Sequence, residues 1–408
     1  MEKVQQGLRE NWKQFILLVI INGFVGGMVG LERSILPELA QTEFALAAKT
    51  ALLSFIIVFG ITKALSNYFA GTFAHKIGRK NLLVIGWVFA LPVPLILMYA
   101  PSWNWIIAAN ALLGINQGLS WSSTVVMKID LVGQKNRGLA MGINESVGYI
   151  AVGLTALLTG IIAAQYGVRP YPFYLGIGFS VIGLVSSWFF VKDTAGHLAS
   201  EQSFSSIKPL SDVFLSTTWK HPNLGAITQA GLTNNLNDGM IWGIFPLLLA
   251  SKGFRIAEIA GVVAIYPLVW GLGQLITGKL GDLFPKKPLL FWGMLIQGLT
   301  ILGLVFANSL FAFALLSVFL GIGTAIVYPN FLAAIADNTH PMQRAHSLGV
   351  FRLWRDLGYA FGALITGLIA DQLGIQASVL CIGLITVLSA LIIAKRMNHS
   401  NEPLTTKA

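Results

Sequence analysis

Eight ionisable side chains lie inside the apolar stretches of this 408-residue chain, where a charged group has the highest cost in free energy. At bilayer depth each such group costs roughly 2.5–3.5 kcal/mol on insertion scales, so those that persist usually line a cavity or pair with one another. Equal numbers of acids and bases allow mutual neutralisation, and the set is the first candidate for a binding site. The residues are Glu32, Glu145, Asp238 and Asp356 among the acids, and Arg33, Lys63, Arg352 and Arg355 among the bases.

Helical spacing groups several of these residues with polar neighbours. Arg352, Arg355 and Asp356 occupy positions i, i+3 and i+4, so they share a helix face that lipid cannot cover. Lys63 and Asn67 are one turn apart in the same way. The positions predicted to bind solute or ion are therefore the eight charges together with Asn67, Asn116, Asn235 and Tyr328.

Two kinds of chemistry are open to these groups. Glu145 or Asp238 could take up and release protons, because burial disfavours the charged carboxylate and a nearby cation favours it. The bases deep in the helices could bind an anionic group or exchange partners with the acids. Two alternatives without a binding role stay open. Polar side chains often only hydrogen-bond one helix to another, and Glu32 and Arg33 could extend to the membrane interface.

The composition predicts a helical membrane protein. Hydrophobic residues make up 55% of the chain and charged residues 11%, whereas a soluble domain carries about 25% charged residues. Apolar stretches of roughly 20 residues, long enough to cross a bilayer as helices, recur along the chain. We expect twelve spans, near 15–36, 47–73, 82–100, 104–127, 139–166, 173–191, 224–249, 256–277, 289–307, 310–335, 346–370 and 375–395.

The distribution of basic residues predicts the orientation. Basic clusters such as 75–80, 286–287 and 395–396 fall at the termini and in even-numbered loops, which places both termini in the cytoplasm. The net charge of +10 is therefore topological and does not indicate a nucleic-acid partner. The longest polar interval suggests three parts: a six-helix half over 1–191, a cytoplasmic linker over 192–222 and a second half over 223–408.

An internal repeat supports two similar halves. Sliding the second half back by 207 positions matches Asp130 to Asp337 and Arg137 to Arg344, together with several glycines. Paired Asp and Arg matches are rare by chance between two apolar sequences. Six helices per half make the repeats parallel in the membrane.

On these residues the chain resembles the major facilitator superfamily. The loop over 71–80, Gly-Thr-Phe-Ala-His-Lys-Ile-Gly-Arg-Lys, is similar to the family's signature loop, and a second copy lies at 278–287. The resemblance implies two pseudo-symmetric six-helix bundles and a gating role for these loops. Residues assigned to gating on this basis are Gly71, His75, Gly78, Arg79, Lys80, Asp130, Arg137, Gly278, Asp282, Asp337 and Arg344.

The first copy of the loop departs from the family pattern. His75 stands where the family usually has Asp, and only the second copy keeps the acid, as Asp282. In the family that acid is associated with the outward-facing state, so the first latch is expected to be weak or pH-dependent. A solvated histidine without a gating role is the open alternative.

The resemblance and the buried charges together predict secondary active transport of a small organic solute, with proton coupling and export preferred. Proton-symport uptake of a small anionic solute is the first alternative, and a membrane sensor without transport is the second. The Gly-Pro pair that marks many antiporters in helix 5 is absent from 148–155. Direction therefore stays open.

Other classes lack their sequence signals. No phosphate-binding loop of an ATP-driven pump occurs, and the six histidines lack metal-hydrolase spacing, so neither an enzyme nor a metal or other cofactor is expected. The single cysteine, Cys381, lies in an apolar run and is read as a packing residue. A monomer in a bacterial inner membrane is the expected state.

Overall fold

The computed structural model describes residues 7–132, 137–194 and 209–398, and every regular element in these ranges is helical. The first part contains α1 Trp12–Arg33, α2 Leu36–Thr42, α3 Lys49–Leu52, α4 Ser54–Ile77, α5 Arg79–Ala90, α6 Pro92–Tyr99, α7 Trp103–Val132, α8 Arg137–Tyr166 and α9 Tyr174–Phe189. The second contains α10 Val213–Leu215, α11 Pro222–Ser251, α12 Ile256–Leu283, α13 Lys286–Leu304, α14 Leu310–Asp337, α15 Pro341–Leu373 and α16 Ile375–Arg396.

Long apolar helices confirm a polytopic membrane protein. Within the described ranges, eight helical segments are long and apolar enough to cross a bilayer. The helices α7, α11 and α15 are 30, 30 and 33 residues long, but they carry more polar residues than the eight spans. In α4 the described apolar part, Ser54–Ala70, is shorter than a span. The count of twelve spans therefore stays a prediction.

The helices run between two faces of the bundle. We call the face where α1 begins and α16 ends the terminal face, and the opposite one, where α1 ends, the far face. Between them α4 packs along α15, and α8 packs along α12. These two contacts join early helices to late ones through the centre of the bundle.

The α4–α15 contact depends on a glycine. A Cβ added at Gly60 would lie 2.7 Å from the backbone nitrogen of Ala360 and 2.9 Å from the Cβ of Tyr359. Only a residue without a side chain lets the two backbones approach this closely. The helices consequently meet without room for an added methyl group.

Gly239 has the same role in the contact between α11 and α15. The helix α11 is continuous through Gly239, and an added Cβ there would lie 2.6 Å from the carbonyl oxygen of Tyr359. The glycine allows α11 to lie against α15 rather than opening its backbone to a ligand. The polar residues before it face neighbouring helices instead.

At the far face, Asp371 closes the end of the α4–α15 contact. Its carboxylate accepts hydrogen bonds from the backbone N–H of Lys49, the backbone N–H of Thr50 at 3.0 Å and the hydroxyl of Thr50 at 2.8 Å. This one carboxylate therefore ties the end of α15 to the start of α3. We call this contact the far-face latch.

We predict that Gly60→Ala lowers the free energy of unfolding by about 1–3 kcal/mol, because the methyl group meets backbone that must move. Gly261→Ala is the matched control, since nothing lies within 4 Å of a Cβ added there. Thermal unfolding in detergent measures both. Equal melting temperatures for the two variants would contradict the close contact.

We predict that Asp371→Ala opens the far face. A cysteine in place of cavity-lining Leu332, in a Cys381→Ala background, should react severalfold faster with a membrane-impermeant thiol reagent applied from that face. Glu258→Ala is the control. Glu258 pairs with Arg255 at the start of α12, also at the far face, and it does not join α3 to α15. Unchanged labelling after loss of Asp371 would rule out the latch.

Candidate functional site

A narrow cavity lies at the centre of the bundle, where α4, α7, α8, α14 and α15 converge. Its volume is about 10 Å³, which is room for about one water molecule. It is lined by Lys63, Asn67, Trp121, Ser122, Glu145, Tyr149, Tyr328, Leu332, Arg352 and Arg355. Six of these residues, Lys63, Asn67, Glu145, Tyr328, Arg352 and Arg355, belong to the binding set proposed from sequence.

Asp356 is the centre of the polar network beside this cavity. Its Oδ1 accepts from Arg355 Nε at 2.8 Å and Nη2 at 2.7 Å, and from Asn235 Nδ2 at 3.3 Å. Its Oδ2 accepts from Asn67 Nδ2 at 2.5 Å. The carboxylate is fully buried, and its donors come from α4, α11 and α15. The charges of Asp356 and Arg355 therefore neutralise each other.

The network continues from Asn67 to Arg352. The hydroxyl of Ser122 donates to Asn67 Oδ1 and accepts from Arg352 Nη1 at 3.1 Å. The Nε of Arg352 is buried and has no hydrogen-bond partner within the described structure. Arg352 thus meets a neutral hydroxyl, in contrast to the charged partner of Arg355.

Lys63 is held mainly by aromatic faces. Its Nζ lies 4.9 Å from the ring centroid of Tyr359, 5.5 Å from that of Phe59 and 5.9 Å from that of Trp121. Among the described side chains, no ion pair joins it to a carboxylate. Cation–π contacts of this kind stabilise a buried ammonium without neutralising its charge.

Glu145 is the acid that lines the cavity. Its Oε1 accepts from Trp121 Nε1 at 2.8 Å and from Asn144 Nδ2 at 2.9 Å. Its Oε2 is buried and has no hydrogen-bond partner in the described part of the chain. One carboxyl oxygen is therefore held in place while the other is left available to a proton or a ligand.

Stacked aromatic rings form a wall beside the α4–α15 network. The rings of Tyr149 and Trp270 are stacked with centroids 3.5 Å apart, and Trp270 lies edge-on to Tyr328 at 4.9 Å. The Tyr149 hydroxyl donates to the Tyr328 hydroxyl at 3.0 Å. This wall gives the cavity a flat apolar side beside a basic one.

A second buried cluster lies towards the far face, outside the cavity lining. The guanidinium of Arg33 lies 4.3 Å from the Trp242 ring and 4.9 Å from the Phe59 ring, and 3.7 Å from Glu32. Glu32 is 0% and Arg33 1% exposed, so neither side chain extends to the interface. Asp238 is also fully buried, and its Oδ1 accepts from Tyr266 at 2.5 Å.

Asn116 lies in a helix contact rather than beside the cavity. Its side-chain amide donates to the Gly86 carbonyl at 3.0 Å and to the Ser120 hydroxyl at 3.3 Å, which joins α7 to α5. This is the joining role that polar residues often have in membrane helices. Within the described structure, none of its hydrogen bonds involves another proposed binding residue.

Three residues near the site were missed by sequence reasoning. Lys128 is buried and donates to the Leu18 carbonyl at 3.1 Å, and Ser122 and Trp270 complete the polar network and the aromatic wall. Lys128 was left out because the span was predicted to end at residue 127, whereas α7 continues to Val132. The available signal for Lys128 was a charged residue directly after an apolar span. No sequence signal pointed to Ser122 or Trp270.

The proposed gating residues lie at the terminal face. Arg79 forms an ion pair with Asp130, which also accepts from Thr194 at 2.7 Å, and Lys286 lies 3.7 Å from Asp337. Gly78 has φ +87°, which explains a glycine between α4 and α5. Lys80 donates its backbone N–H to Asp193 at 3.0 Å. Gly71 and the side chains of His75, Arg137, Asp282 and Arg344 lie outside the part of the chain whose side chains are described.

A polytopic helical bundle with a charged, aromatic-lined cavity at its centre is the architecture of a membrane transporter. The family model of the Major Facilitator Superfamily matches residues 15–232 and 227–407. The chain therefore belongs to this family, which is the one its loops resemble. Its fold class, an all-α membrane protein with the major facilitator fold, is confirmed.

The chain is similar over almost its whole length to curated relatives named multidrug resistance protein MdtG. It is 25% identical over 388 residues to the protein of Salmonella paratyphi C, covering 91% of this chain and 92% of the relative. It is 23% identical over 396 residues to that of Serratia proteamaculans, covering 93% and 92%.

Solved structures show the same fold. A POT family transporter in complex with a thioalcohol-conjugated peptide matches with TM-score 0.75 and 14% identity, covering 94% of this chain and 95% of that one. The human organic anion transporter MFSD10 (TETRAN) matches with TM-score 0.67 and 15% identity, covering 93% and 99%.

We predict that Asp356→Asn destabilises the protein by about 3–5 kcal/mol, because it leaves the Arg355 charge buried and unpaired. Adding Arg355→Met to this variant should recover a large part of that loss, since both charges are then removed. Thermal unfolding of the two single variants and the double variant in detergent measures the coupling. Strictly additive losses would show that the pair contributes no coupling.

Proposed function

We propose that this protein is a secondary active transporter that exchanges protons for a small organic solute by alternating access, and that it exports the solute. The name of the MdtG relatives supports export, because it describes resistance to several drugs. Membership of a transporter family supports a role without enzymatic catalysis.

The observation that carries proton coupling is the free carboxyl oxygen of Glu145. Oε1 is fixed by two donors, whereas Oε2 is buried at the cavity without a partner in the described structure. Three basic side chains line the same cavity as Glu145. A solute that takes the place of one of these neighbours would favour uptake or release of a proton by the carboxyl group.

Asp238 is a second candidate carrier. Its Oδ2 is buried without a hydrogen-bond partner in the described ranges, while Tyr266 holds Oδ1. It lies with Arg33 and Glu32 in the cluster towards the far face. Asp238 does not line the cavity, whereas Glu145 does, so we assign Glu145 the direct role.

Alternating access would move the two halves of the chain, residues 1–191 and 223–408, with 192–222 as the linker. The α4–α15 and α8–α12 contacts and the far-face latch would separate as the cavity opens to the far face. The ion pairs Arg79–Asp130 and Lys286–Asp337 would hold the terminal face. We place this face in the cytoplasm of a bacterial cell and take the transporter to act as a monomer in the inner membrane.

Uptake of a small anionic solute by proton symport is the second candidate. The specific observation in its favour is that three bases and one acid line the cavity. The direction of solute movement under an imposed pH gradient separates it from export. A sensor that does not transport would move no solute in either direction.

We predict that, in liposomes with a trapped pH dye, a pool of metabolites and drugs evokes proton movement that is lost in Glu145→Gln. The sign of the pH change gives the direction. Glu258→Gln, which alters an acid at the far face, should behave as the unmodified protein. Proton movement retained in Glu145→Gln would exclude Glu145 as carrier, and solute flux without proton movement would exclude proton coupling.

A further inference from the structure

The charges around the cavity do not cancel. Lys63, Arg352 and Arg355 line it together with the acid Glu145, and Asp356 lies behind Arg355. With both acids ionised, one positive charge is left over. Asp356 is already committed to Arg355, so the excess belongs to Lys63 and Arg352.

These two bases have neutral partners. Arg352 donates to the Ser122 hydroxyl and keeps a buried Nε without a partner in the described structure, while Lys63 faces three aromatic rings. A buried donor without an acceptor and a buried ammonium that forms no ion pair in the described structure both favour an incoming anionic group. A cationic ligand would instead meet the excess positive charge.

The rest of the cavity specifies the body of the ligand. Tyr149, Tyr328 and Trp121 form the aromatic part of its lining, and Trp270 stacks against Tyr149 at 3.5 Å. A flat ring packs favourably against such faces. The cavity holds about one water molecule in this structure, so it must widen to admit such a ring.

We propose that the solute is an aromatic monocarboxylate, whose carboxylate binds Lys63 and Arg352 and whose ring lies against Tyr149, Tyr328 and Trp121. The inference rests on the proposed function in taking this cavity as the solute site. It holds for export and for uptake alike.

Equilibrium binding to the purified full-length protein in detergent tests the ligand class. Isothermal titration at neutral pH would compare benzoate with its neutral analogue benzamide, its cationic analogue benzylamine and the ringless anion acetate. We expect benzoate to bind at least about tenfold more tightly than each of the others. Equal binding of benzamide, tighter binding of benzylamine, or no benzoate binding at millimolar concentration would overturn the proposal.

Variants test the assigned residues. Lys63→Gln and Arg352→Gln should each weaken benzoate binding about tenfold, and Lys63→Arg and Arg352→Lys should restore most of it. Arg255→Gln is the matched control. It removes one positive charge as well, but Arg255 is exposed at the far face and does not line the cavity. Tyr149→Leu should weaken benzoate but leave acetate unchanged. Melting temperatures show that each variant is folded, and unchanged affinity in folded Lys63→Gln and Arg352→Gln would overturn the site.

The binding assay is independent of the proton assay. Benzoate binding without substrate-evoked proton movement would keep the ligand class and remove proton coupling. Proton-coupled transport of a cation, with no benzoate binding, would keep coupling and overturn the ligand class.

Discussion

A buried carboxylate in a membrane protein must find donors and a counter-ion, and Asp356 finds them on three helices. Arg355 supplies the charge from α15, Asn67 donates from α4 and Asn235 donates from α11. Ser122 adds α7 through Asn67. This requirement fixes how four helices meet at the centre of the bundle. Three of the four, α7, α11 and α15, are long helices too polar to qualify as spans by hydropathy.

The other side of the centre uses a different interaction. Tyr149 of α8, Trp270 of α12 and Tyr328 of α14 pack through their rings, with a single hydrogen bond between the two tyrosine hydroxyls. Ring contacts impose less directional constraint than a buried ion pair does. The cavity therefore has a charged wall that is fixed and an aromatic wall that can accept a flat ligand.

The sequence was sufficient to predict the long apolar helices and most of the buried charged residues, although Lys128 was missed. Spans follow from length and hydropathy, and the shared face of Arg352, Arg355 and Asp356 follows from helix geometry. The hydrogen-bond partners of the buried polar side chains could not be predicted, because they depend on which helices are in contact. Asp356 binds Asn67 and Asn235 from distant parts of the chain, and Asn116 binds the Gly86 carbonyl in a contact away from the cavity. Aromatic Trp270 gave no sequence signal because its stacking partner lies on another helix.

The central claim is that solute and proton meet at Glu145. It is tested most directly by measuring proton uptake or release when the solute identified by flux binds to purified protein in weakly buffered detergent with a pH dye. We expect uptake or release of about one proton for each solute molecule bound, and neither in a Glu145→Gln variant that still binds the solute. Binding without proton exchange in the unmodified protein, or the same exchange in Glu145→Gln, would contradict it.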